Sequence, residues 1–398
     1  MTQPYRSMYT YAWDVLDLGV NAFIEDALSL GITDISLATS YHAGKFIRPH
    51  AKHGPKVIFP EDGVVYFDPQ HSYYGKIKPQ AHSDSAIRQV LPALIADGRL
   101  RIHGWTVLLH NSRIGSAYPD YCTRNVFNDF YVYSLCPMQA AVAEYAIALC
   151  ADLTTQHELH SIILETPGWL PFSHGYHHEF AQMASNPAME KALGLCFCSA
   201  CKKAANTVGI EVNALQERLQ QYITNLFNAA PDNEQFQHAI ELAFTDDADL
   251  IAYIKMRQQR VTELVKTIRQ AIPGNTKLAV IPSVQRPSAL CWVEGSDLSD
   301  LLSIGAADYL EIPFYETSAK LVQQDAAFCL NHAHSAQQLR GILRPGFPDL
   351  NNGAELPQAL AGLQQSGLSD FAFYNYGLLP RKQLSHMAQC LTNLKVSP

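Results

Sequence analysis

Ser161-Ile162-Ile163-Leu164-Glu165-Thr166-Pro167-Gly168-Trp169 sets a short apolar run directly against a carboxylate and then against a Pro-Gly turn. The run is too short for a helix, carries no polar alternation, and is cut off by the two strongest chain breakers, so it reads as a parallel strand buried on both faces. Its acid then falls at the rim of the sheet. Seven further runs share this design: Tyr9–Val15, Thr33–Thr39, Gly104–Leu109, Lys277–Ile281, Asp308–Ile312, Leu339–Leu343 and Asp370–Phe373. Patterns with helical spacing separate them, among them Val20–Leu30 stopped by Gly31, a helix opened by Ser83 or Asp84 and closed by Gly98, Ala140–Leu153, and a final Arg381–Leu394. Eight strands in strict alternation with helices predict an α/β fold of the (β/α)8 TIM barrel type.

At 398 residues the chain exceeds the ~250 of a bare barrel. The excess is concentrated between the fourth and fifth runs, roughly 110 residues where one barrel step needs about 30. One domain over 1–398 is therefore expected, with a helical insertion over 170–275 that holds the patterns Val208–Phe227, Phe236–Phe244 and Asp249–Ala271. A long loop over 43–82, with a small hairpin at Lys56–Phe59 and Val64–Phe67, and a second loop over 112–137 belong to the same face as Glu165.

A net charge of −8 with no run of Lys or Arg gives no footprint for nucleic acid. No stretch has the length of a membrane span, and the first residues lack the pattern of a secretory signal, so a cytoplasmic protein with no membrane partner is expected. Nine cysteines are present, and three are crowded into Cys196-Phe197-Cys198-Ser199-Ala200-Cys201. That spacing suits one tetrahedral ion better than disulfides and points to a reducing compartment. A structural zinc is expected, its fourth sulfur drawn from Cys136 or Cys122, with Cys136 preferred because it directly precedes a helix near the fourth strand.

Barrel enzymes work at the C-terminal face of the sheet, where the loops converge. Two carboxylates sit at strand ends there, Glu165 and Glu311, and two carboxylates are what glycosidic cleavage uses. Glu316 and Asp14 are alternatives for the second. Around them the sequence places Trp13, Tyr41, Trp169, Tyr315 and Tyr374, flat rings suited to the C–H faces of sugars, with Trp292 and Tyr376 nearby. His42, His110, Asn111, His174, His177, His178, Arg344 and Asn375, with Asp14, complete a polar lining for a small saccharide.

The chain resembles the zinc-containing family-42 β-galactosidases and, more loosely, family-10-like glycosyl-hydrolase barrels. The resemblance rests on Glu165 at the fourth strand end, on Cys196, Cys198 and Cys201 after it, on Cys136 before a helix, and on the helix pattern of Ala252–Ile272. It implies a TIM barrel, a zinc site made of four cysteines and Glu165 as general acid/base. That family carries its nucleophilic Glu on the seventh strand, where this chain has Leu343-Arg344-Pro345. Glu311 is the substitute by position. The expected function is a glycoside hydrolase-like enzyme acting on a small or terminal saccharide. A catalytically silent carbohydrate-binding barrel and a metal-dependent sugar isomerase, lyase or aldolase built on His42, His110, His174 and His178 are the alternatives. A homo-oligomer is left open.

Overall fold

Eight parallel strands close into a ring in the computed structural model: β1 (Arg6–Thr10), β2 (Asp34–Tyr41), β3 (Arg101–Val107), β4 (Ser161–Glu165), β5 (Lys277–Ile281), β6 (Tyr309–Pro313), β7 (Leu339–Leu343) and β8 (Phe371–Phe373). Each pairs in parallel with its neighbours in chain order, and β1 pairs with both β2 and β8, which closes the barrel. The structure describes residues 4–175, 183, 186–229, 234–282, 291–303, 305–333 and 335–394, without the side chains of residues 291 and 292. His177, His178 and the indole of Trp292 lie outside this set.

The strands are apolar on both faces because helices cover the outside while side chains fill the inside. Ile162, Ile163 and Leu164 of β4 are all fully buried. Burial of one such side chain stabilises by roughly 1.5–3 kcal/mol. Outside, Ala140–Gln156, which precedes β4, and Ala248–Ala271, which precedes β5, pack against one another.

The first strand departs from the sequence reading. It spans Arg6–Thr10, and Ala12–Leu18 is a helix closed at Gly19, whose φ of 89° suits a residue without Cβ. Tyr9–Val15 is one apolar run, and periodicity over so few residues does not separate a buried strand from a helix start. The expected hairpin in the 43–82 loop also differs. Val57–Ile58 pairs with Phe46–Ile47, whereas Val64–Val65 adds antiparallel to the end of β2 and also pairs with Gln80–Ala81. The 112–137 segment is not a plain loop but holds a helix, Ser112–Ala117, and a hairpin of Cys122–Arg124 with Phe130–Leu135 that delivers Cys136.

Between β4 and β5 stand the helices Pro187–Leu193, Ser199–Thr207, Val212–Asn228, Glu234–Asp246 and Ala248–Ala271. Among the described residues no helix is long and apolar enough to cross a membrane.

Candidate active site and cysteine centre

Glu165 is the last residue of β4 and opens onto the C-terminal mouth, partly exposed. Thr166 behind it has φ 55°, a left-handed conformation uncommon for a β-branched residue, and turns the chain away at once. Gly168 then runs so close to the Glu294 carbonyl that a Cβ would lie 2.3 Å from its oxygen, and Trp169 N–H donates to that carbonyl at 3.0 Å. This double constraint fixes where the acid stands. Its Oε2 accepts a hydrogen bond from the Trp105 indole N–H at 2.5 Å. Burial pushes its pKa up to about 7, against the smaller downward pull of the Trp105 donor.

Aromatic side chains pack together beside Glu165. Trp105 meets Tyr41 at 5.2 Å, Tyr11 at 5.4 Å and Tyr374 at 5.9 Å between ring centroids. Tyr315 stands 6.0 Å from Tyr374 and carries the Arg344 guanidinium stacked on its face at 3.8 Å. Tyr41, Tyr315 and Tyr374 all feel the charge of Glu165, and burial pushes each phenol upward, so they act here as neutral donors and acceptors. Tyr11 and Tyr374 share a hydrogen bond at 2.9 Å. Arg344 also pairs with Asp349 at 3.3 Å.

The histidines gather on one side of this mouth. His42 stacks on Tyr41 at 4.2 Å and on His110 at 3.8 Å, and His174 stands 5.8 Å from His110. His110 Nε2 lies 3.0 Å from the Gly175 carbonyl. Trp13 packs flat on Tyr11 at 4.4 Å and toward Phe46.

Other residues of the sequence reading take positions apart from Glu165. Glu311 is fully buried inside the barrel. Its Oε1 accepts from Tyr5 at 2.9 Å and Arg340 at 3.0 Å, and its Oε2 accepts from Tyr9 at 2.6 Å. Asp14 lies in the helix after β1 and is buried against Arg48, Nε to Oδ1 2.6 Å, in a cavity of about 390 Å³ shared with His50, Tyr376 and Gly377. Burial lifts its pKa to about 6 in spite of Arg48. Asn111 caps the helix Ser112–Ala117 through Ile114 N–H and donates to the Gly63 carbonyl, a scaffold role. Asn375 follows a cis peptide from Tyr374 and accepts from Gly377 N–H. Tyr376 turns outward to Asp26. Trp169 is wholly buried, its ring covered by the Arg257 guanidinium at 3.9 Å, so it belongs to the packing of the helices after β4.

Trp105, Tyr9 and Tyr11 escape strand-end reasoning because they lie within or just after a strand. Parity was the available signal. Tyr5, Ser7, Tyr9 and Tyr11 alternate inward from β1, and Ser7 and Tyr5 both reach Ser36 of β2. That column begins at Tyr5, ahead of the apolar run Tyr9–Val15.

Away from this mouth, Cys136, Cys196, Cys198 and Cys201 converge, all buried, with their sulfurs within 4.8 Å of one another. Cys136 Sγ lies 3.5 Å from Cys201, 3.6 Å from Cys198 and 3.8 Å from Cys196. Four thiolates around one tetrahedral ion at ~2.3 Å stand about 3.8 Å apart, so the set fits a metal. Burial pushes the Cys136 and Cys201 thiols well above the ordinary range, and hydrogen bonding with the other three sulfurs holds Cys198 below it. Gln139 amide N–H donates to Cys198 at 3.7 Å, and the Cys196 sulfur accepts from Arg124 N–H at 3.4 Å, which orients these two sulfurs from outside the cluster.

No family model matches the chain, and no curated protein matches it in sequence. Solved structures do match. The PgaB glycoside hydrolase domain from Bordetella bronchiseptica superposes with a TM-score of 0.58 at 12% identity over 98% of both chains. The catalytic domain of β-amylase from Paenibacillus polymyxa gives 0.55 at 12% identity over 96% of this chain and 94% of that one. A β-galactosidase from the psychrophilic Marinomonas ef1 gives 0.53 at 10% identity over 97% of this chain and 59% of that one. At these identities the likeness is one of fold, a (β/α)8 barrel.

Proposed function

We propose that the chain is a glycoside hydrolase in which Glu165 is the general acid/base. The carrying observation is a strand-end carboxyl, raised to about 7 by burial, in a mouth walled by Tyr41, Trp105, Tyr315 and Tyr374. A general acid has to hold its proton near neutrality and release it to a leaving oxygen, and this environment supplies that. The aromatic walls suit a sugar ring, and His42, His110 and Arg344 offer hydrogen bonds to its hydroxyls. The structural neighbours, described as a glycoside hydrolase domain, a β-amylase and a β-galactosidase, support the same class.

The second carboxylate of such a reaction activates water or attacks the anomeric carbon. Glu311 would first have to give up three donors, so we assign it a positioning role under Tyr9 and Trp105. We assign the second function to the loops after β6 and β7, which carry Glu316 and Asp349.

The cysteine quartet is read as a structural zinc site that ties the helices after β4 to the segment before Ala140–Gln156. The ion would be held by the four thiolates alone and contribute folding energy rather than chemistry. Together with Glu165 it supports the likeness to the zinc-containing family-42 enzymes, and it suits a reducing compartment such as the cytoplasm.

The test is turnover of a panel of nitrophenyl glycosides by the wild-type protein and by Glu165→Gln. Loss of turnover with sugar binding retained supports the assignment. Hydrolysis at wild-type rates in Glu165→Gln overturns it, and sugar binding without turnover in the wild type favours a silent binding barrel.

A further inference from the structure

Residues at or just before the starts of the eight strands surround a cavity of about 560 Å³ at the mouth opposite Glu165. Four fixed cations, Arg6, Arg101, Lys277 and Arg340, face two carboxylates there, Asp34 and Asp370, in a chain whose net charge is −8. The local pairing leaves these cations unevenly satisfied. Asp34 is fully engaged by Arg101, His103 and Thr33, and Lys277 is held by Asp308. The Arg6 guanidinium donates to the Leu391 carbonyl and has no carboxylate within ion-pair distance among the described residues. Arg340 is only 6% exposed, its guanidinium held between the rings of Tyr5 at 3.9 Å and Tyr309 at 3.8 Å. Glu311 takes its Nη1, and its Nε has no acceptor among the described residues.

A buried guanidinium fixed flat between two rings, with Nη1 engaged by Glu311, holds its remaining N–H donors in one rigid plane, a geometry that suits planar or tetrahedral oxyanions. The cavity is much larger than a bare ion needs and falls in the ~300–1,000 Å³ range of small-molecule sites. We propose that this mouth binds a small phosphate monoester, its phosphate held by Arg340 and Arg6 with Lys277 at the rim. The organic part fills the remaining volume against Tyr5 and Tyr309. The site is separate from Glu165, and its test does not depend on any hydrolytic activity.

The experiment is calorimetric titration of the full chain with β-glycerophosphate at constant ionic strength, with sodium chloride, glycerol and inorganic phosphate as parallel titrants. Saturable binding at one site per chain is expected, with inorganic phosphate weaker and glycerol and chloride silent. Arg340→Gln should abolish binding and Arg6→Gln should weaken it about tenfold, in line with loss of a charge-assisted pair. Because Arg340 also neutralises buried Glu311, its variant is exposed to misfolding. Arg6→Gln combined with Lys277→Gln, on two residues nearer the surface, asks the same question in a folded chain. Unchanged affinity in that double variant, absence of saturable binding, or inorganic phosphate binding as tightly as the ester would each overturn the proposal.

Discussion

Glu165 shows how one residue's environment sets both chemistry and stability. A carboxyl whose folded pKa is raised from 4.5 to about 7 keeps a proton that the unfolded chain has lost. Folding stability therefore falls as pH rises through that window, by up to roughly 3 kcal/mol above it. Glu165→Gln is expected to abolish turnover and to raise the melting temperature at pH 8 while leaving it nearly unchanged at pH 4, which thermal melts at the two pH values check. Trp105→Phe keeps the wall and removes the N–H that favours the ionised acid. The alkaline limb of the pH–rate profile should then move to higher pH; a limb that stays in place would mean another group titrates there. Glu311→Ala leaves Arg340 buried without its partner and should destabilise by about 3–5 kcal/mol. Urea denaturation measures this, and the rate per folded molecule should fall as well, because Tyr9 and through it Trp105 lose the carboxylate that positions them. The convergence of Tyr41, Tyr315, Tyr374 and Arg344 near Glu165 was legible because all follow strand ends closely. Trp105 was not, because a residue within an apolar strand betrays its inward face only by parity. Glu311 looked like Glu165 in sequence, since a run of letters does not say how many donors surround a carboxylate.

At the level of elements, strands β2 to β8 were legible because a strand buried on both faces leaves an uninterrupted apolar run between breakers. The first was displaced because Tyr9–Val15 runs without a breaker from β1 into the helix Ala12–Leu18. The cysteine quartet was legible for a different reason. Three thiols in six residues have few uses other than a shared ion, and Cys136 was reachable by its place before a helix. What the spacing did not reveal is the hairpin Cys122–Arg124 with Phe130–Leu135, whose far end carries that fourth cysteine. Metal analysis is expected to give one zinc per chain. Cys198→Ser should lose it, lower the melting temperature and open residues 170–275 to proteolysis, read by limited digestion. Full stability with no bound metal and four titratable thiols would exclude the zinc reading.

Over the whole molecule, the two mouths of the barrel are joined by contacts. Arg340 at one mouth pairs with Glu311, Glu311 holds Tyr9, Tyr9 packs edge-on against Trp105 at 5.1 Å, and Trp105 donates to Glu165 at the other. Alternating elements and the long step after β4 announced this architecture, but the pairing across the interior depends on which inward residues meet at each level, and strand-end reading does not reach that. The closure of β1 on β8 has a separate consequence. Arg6 Nη1 donates to the Leu391 carbonyl at 3.1 Å, so the chain returns at its last helix to the place where its first strand begins. A ring in which each segment touches its successor has no privileged starting point, and the order of synthesis is a convention the fold does not need. A circular permutant that links residue 394 to residue 4 and opens the exposed turn at Gly274-Asn275 should therefore assemble the same barrel, with unchanged circular dichroism and the same convergence of Cys136 on Cys196, Cys198 and Cys201.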